Sequence, residues 1–128
     1  MNNTIFVAVT DIFFYTKVRD ALRPQGYTLE RIRHQDEVAE KAASASPLAL
    51  ILNMNDLAVD AFKALETIQS NPALRSLPIL AFANHEEVDT WRRAKELGVT
   101  KIVSRNEFSA RTKDLVEELI HPQPSAQL

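Results

Sequence analysis

Leu48-Ala-Leu-Ile-Leu-Asn53-Met-Asn55 opens with an unbroken apolar run and then turns polar at two amides. A run that is apolar on both faces, yet too short for a helix, is the pattern of a central strand in a parallel sheet covered on both sides. The same pattern recurs at Ile5–Val9 and Pro78–Phe82. Lys101–Val103 is a shorter version, and Thr28–Arg33 alternates apolar with charged side chains, as a sheet edge does.

Helical spacing fills the gaps. Phe14, Val18, Ala21 and Leu22 share one face, and Arg23-Pro-Gln-Gly26 ends that helix, with Gly26 suited to a left-handed cap. Further helices are predicted over Val38–Ala45, over Ala61–Ile68 with Phe62, Leu65 and Ile68 as its stripe, over Val88–Leu97 before Gly98, and over Ala110–Ile120. Pro47 and Pro72 mark exits. Strand and helix thus alternate five times, which specifies right-handed crossovers and a parallel sheet with helices on both faces. One domain over 1–120 is expected, followed by a disordered tail over 121–128.

Composition narrows the function. The 128 residues are 45% hydrophobic, enough for a continuous core. Fifteen Lys and Arg against 17 Asp and Glu leave a net charge of -2, which speaks against nucleic-acid or acidic-membrane binding. Without cysteine there is no disulfide, thiolate metal site or thiol nucleophile. The two glycines, Gly26 and Gly98, write neither a dinucleotide fingerprint nor a phosphate-binding loop. No run approaches the roughly 20 apolar residues of a membrane span and no leader is visible, so a cytoplasmic location is expected.

In such sheets the site lies beyond the carboxyl ends of the strands. That selects Thr10-Asp11, residues 53–56, residues 83–85 and residues 104–106. Asp11 reads as the N-cap of the first helix. His85 reads as a solvated loop histidine or as a proton-sensitive contact near Arg105. His34 and His121 read as surface. Trp91, among Thr90, Arg92 and Arg93, reads as a rim contact or as partly buried against the third helix. Phe13, Phe14 and Tyr15 cannot all face the sheet; Phe14 fits the core, and Phe13 or Tyr15 is expected to fill the cleft beside Asn53.

Over about residues 3 to 120 the chain resembles the receiver domains of two-component response regulators. The resemblance rests on the stretch quoted at the outset, on Asn71-Pro72-Ala-Leu-Arg-Ser-Leu-Pro78-Ile-Leu, and on Gly98 before the last strand. It implies a flavodoxin-like, doubly wound five-stranded sheet of order 2-1-3-4-5 and a role in signal transduction. Receivers phosphorylate an aspartate after strand three, hold Mg²⁺ on acids after strand one, and bind the phosphoryl group with a hydroxyl after strand four and a lysine after strand five.

Here Asn53 stands at the acceptor, Thr10-Asp11 (or Val9-Thr10) at the acidic pair, Asn55 at a position whose backbone carbonyl ligates Mg²⁺ in the family and would leave Asp11 a weak cation ligand beside it, Ala83 at the hydroxyl, Arg105 at the lysine and Ile102 at the aromatic switch position. The resemblance therefore implies a pseudo-receiver: not an enzyme, with no cofactor, and with Mg²⁺ not expected. Asn53 reads either as fixing one signalling state or as drift. A kinase, an output protein or a second copy is the expected partner, through the face of helix four, strand five and helix five, with Trp91, Arg92, Lys95, Ile102 and Arg105. Two other readings stand beside this one: a relay phosphorylated at Asp56, Asp11 or His85, and a small-anion sensor using His85, Arg105 and Asn53.

Overall fold

The computed structural model describes residues 3–121. Five parallel strands form one sheet: β1 (Thr4–Ala8), β2 (Thr28–Arg31), β3 (Ala49–Asn53), β4 (Ile79–Ala83) and β5 (Lys101–Ser104), in the order β2-β1-β3-β4-β5. The expected doubly wound fold and strand order are what the chain adopts. The helices are α1 (Ile12–Leu22), α2 (Gln35–Ala45), α3 (Ala61–Gln69), α4 (Val88–Glu96) and α5 (Arg105–Ile120).

Because successive strand residues point to opposite faces, each apolar run supplies two cores at once. Phe6, Ala8, Leu50, Leu52, Ile79, Ala81, Ala83 and Ile102 pack with α2, α3 and α4. Ile5, Val7, Val9, Ile51, Leu80, Phe82 and Val103 pack with α1 and α5. On the second face Phe82 is stacked on Phe108 at 4.2 Å and lies 5.1 Å from Phe14. Just before β2, the Tyr27 hydroxyl donates to Glu117 of α5 at 2.5 Å, and burial followed by that carboxylate pushes the phenol up to about 12.

The largest departure from expectation is α5, which starts at Arg105 instead of Ala110. Ser104 caps it by accepting from the Glu107 amide, and a non-helical residue, Arg111, kinks it, so the sequence reading caught only the part beyond the kink. The signal was present: Ser104-Arg-Asn-Glu107 has capping-box spacing. Likewise α2 begins at Gln35 because His34 accepts from the Asp36 amide, which makes His34 a cap.

Gly98 turns α4 into β5 at φ +93°, where an added Cβ would meet Gln69 at 2.6 Å. His121 closes α5, and 122–128, the rest of the expected tail, lie outside the described residues. Among the described residues no helix is long and apolar enough to cross a membrane.

Candidate functional site

A cleft of about 630 Å³ opens at the carboxyl ends of the strands, lined by Thr10, Asp11, Asn53, Asn55, Asp56, Asn84, Glu87 and Arg105 among others. Parallel pairing puts Ala8 opposite Leu52, Asn53 opposite Phe82 and Ala83 opposite Ser104, so the segments after β1, β3, β4 and β5 meet there. Ala83 itself is fully buried in the sheet, which makes Asn84, the first residue after β4, the one that reaches the cleft.

The β3–α3 loop is stapled to the β1–α1 loop by one carboxylate. Asp56 accepts from the Thr10 amide at 2.6 Å and the Thr10 hydroxyl at 2.7 Å, and from the Ala58 and Val59 amides at 2.9 and 3.0 Å. Burial pushes the Asp56 carboxyl up, but the bonds from Thr10, Val59 and Ala58 outweigh it and hold the group below its ordinary value. From the other side Arg31 donates to the carbonyls of Val9 and Thr10.

Asp11 is the N-cap of α1, accepting from the Phe13 amide at 2.8 Å and the Phe14 amide at 3.3 Å. Asn53 is 5% exposed and accepts from the Asn55 amide at 2.9 Å.

The Asn55 side chain reaches toward α4 in both directions. Its oxygen accepts from the Asn84 amide at 2.9 Å, and its nitrogen donates to Glu87 at 2.9 Å. Glu87 also takes bonds from the Asn84 side chain and from Thr90, both at 3.1 Å. Donation by Asn84, then by Asn55 and Thr90, holds the Glu87 carboxyl below its ordinary value. The Asn84 carbonyl in turn accepts from the Trp91 indole at 2.9 Å, and its side-chain oxygen lies 3.5 Å from Arg105. Among the described residues no buried side-chain nitrogen or oxygen lacks a partner.

Several residues lie elsewhere than expected. Neither Phe13 nor Tyr15 fills the cleft beside Asn53. Phe13 is 60% exposed and lines a neighbouring cleft of about 840 Å³ with Lys17, His85 and Arg105, while Tyr15 leans on the core beside Arg31. Asn53 does not share that cleft, so the anion trio of His85, Arg105 and Asn53 is split between two hollows. Ile102, expected on the partner face, is buried because it points into the α2–α3–α4 core. Trp91 is half-buried against that core, whereas Arg92 and Lys95 are exposed, with Arg92 paired to Asp89. Arg105 sits in both clefts, 4.9 Å from the Phe14 ring.

Sequence reasoning gave no role to Asn84 or Glu87. Glu87 pairs with Asn55 across 32 residues, a separation that no local pattern marks.

Chemically, the site has acceptors but no free nucleophile of the usual kind. The Asn53 amide carries no anionic oxygen with which to attack phosphorus. A hard divalent cation needs several oxygen ligands, and the donors here do not fit one: Asp11 and Asp56 accept from backbone amides, Glu87 accepts from Asn55, Asn84 and Thr90, and Asn53 is neutral. Among the described residues no cluster of three acidic or histidine side chains could hold a metal.

No family model matches the chain, and no curated protein matches it. Solved structures do. The phosphorylated cyanobacterial phytochrome response regulator RcpA is similar with a TM-score of 0.82 at 17% identity, over 97% of this chain and 98% of that one. The signal receiver domain of a signal transduction histidine kinase from Syntrophus aciditrophicus gives 0.80 at 16%, over 98% of each chain. The receiver domain of a sensor histidine kinase from Pseudomonas aeruginosa, with a magnesium ion coordinated in its active site cleft, gives 0.79 at 15%, over 94% and 98%. The chain has the receiver fold.

Proposed function

We propose that this chain is a pseudo-receiver of two-component signalling: it works by protein–protein recognition, without phosphorylation at the end of β3 and without Mg²⁺ or catalysis of its own. One observation carries the reading. The groups that stand where receivers keep their acceptor and a metal acid, Asn53 and Asp11, are tied up by the Asn55 amide and by the start of α1, and the neighbouring carboxylate of Asp56 is tied up by Thr10. Phosphorylation at Asp56 or Asp11 would first have to break those bonds. The partner, a kinase, an output protein or a second copy, would meet the face of α4, β5 and α5, where Arg92 and Lys95 stand exposed beside Trp91.

The test is intact mass after incubation with acetyl phosphate and Mg²⁺, for the wild type and for Asn53→Asp. Neither is expected to gain a phosphoryl group, because restoring one carboxylate leaves the acidic pair reduced to Asp11, which caps α1. A gain by the wild type would overturn the reading; a gain by the variant alone would reduce it to a block at Asn53.

The grouping of Lys17, His85 and Arg105 around the second cleft favours one other reading, a small-anion sensor. Saturable quenching of Trp91 by phosphate, abolished in Arg105→Ala, would support it.

A further inference from the structure

We propose that Glu87 is a built-in anion that latches the start of α4 onto the β3–α3 loop through Asn55, and so fixes α4 in one arrangement with no added group. The proposal rests on the reading of α4 as part of the recognition face, and gives that face its positioning residue.

The geometry is specific. The Asn84 amide can only donate, so the Asn55 oxygen must face it, and the Asn55 nitrogen must then face Glu87. The Asn84 side chain closes the ring by donating to the second oxygen of Glu87. One carboxylate thus collects donors from the β3–α3 loop, from the β4–α4 loop and from Thr90 inside α4.

Although Glu87 stands at the N-cap position of α4, its side chain caps no amide of the helix; its bonds run to other side chains. An N-cap that forgoes its own helix is better explained by the cross-loop contact. Trp91, one turn on, is tied to the same Asn84 through its indole, so the latch and the indole hold one another in place.

The experiment is hydrogen exchange of the α4 amides, with those of α2 as the internal reference, in wild type, Glu87→Ala, Asn55→Ala, Asn55→Asp and the Glu87→Ala/Asn55→Ala pair. Asn55→Asp keeps the acceptor for the Asn84 amide but sets a carboxylate against Glu87. Each single variant is expected to speed α4 exchange about tenfold, the scale of a lost hydrogen bond to a charged group, and to leave α2 unchanged. The double variant should be no faster than either alanine variant, because both remove one latch.

Faster α4 exchange in Glu87→Ala but not in either Asn55 variant would overturn the proposal, leaving Glu87 only a charge at a helix terminus. No change in α4, or an equal rise in α2, would also overturn it. Phosphoryl uptake by the wild type, read separately by mass, would sink the proposed function and leave the exchange result standing.

Discussion

Around the cleft the chain carries amides at Asn53, Asn55 and Asn84, and at two of these only an amide serves. Asn55 and Asn84 each donate to Glu87 while accepting from another group, which a carboxylate cannot do at neutral pH. Asp56 is the opposite case: all four of its partners are donors, so only a carboxylate satisfies them. Replacing it with alanine strands the Thr10 amide and hydroxyl and is expected to cost roughly 2 kcal/mol, while Thr10→Val, which loses only the hydroxyl bond, should cost about 1 kcal/mol. Urea unfolding reads both.

The sign with pH follows from the depressed value: Asp56 contributes stability above its unfolded value near 3.8, and loses it as pH falls through the lower folded value. Wild type should therefore weaken on acidification more steeply than Asp56→Ala. At this scale the sequence exposed Asn53 and the capping role open to Asp11, because Asn53 ends an apolar run and Asp11 stands just before a helical one. It hid the staple and the latch, since each joins residues more than 30 positions apart.

The elements were legible where hydrophobic period and punctuation agree, as at β3 and α1, and were missed where polar residues start a helix with only a capping-box spacing to mark it. The run from Ser104 to Ser109 looks like a loop, yet its first residue supplies the bond that turns it into the first turns of α5. Ser104→Ala is accordingly expected to lose about 1 kcal/mol and to speed exchange of the Glu107 and Phe108 amides, with the segment beyond the kink at Arg111 unaffected. Hydrogen exchange by residue makes the comparison directly. Losing that turn would also release Arg105, so the cap and the cleft are coupled through one helix start.

For the whole molecule, the sheet serves two cores of different character, a mostly aliphatic one that includes Phe6 under α2, α3 and α4, and one built on the Phe14, Phe82 and Phe108 rings under α1 and α5. Phe108 is fully buried in the second, and Phe108→Ala is expected to cost about 3 to 5 kcal/mol, measured by thermal or urea unfolding. Because β1, β3 and β4 feed both cores, that loss should lower a single cooperative transition instead of splitting it in two.

The Tyr27–Glu117 bond gives the molecule a limit on the alkaline side. Ninety residues apart in the chain, these two side chains seam β2 to α5 only while the phenol keeps its proton. In the unfolded chain that proton leaves near 10, and in the folded one near 12, so the seam's contribution is whole below pH 10 and drains away as pH climbs between the two. Base, by stripping a single proton from a tyrosine, unpicks the join between the sheet's outer edge and its last helix.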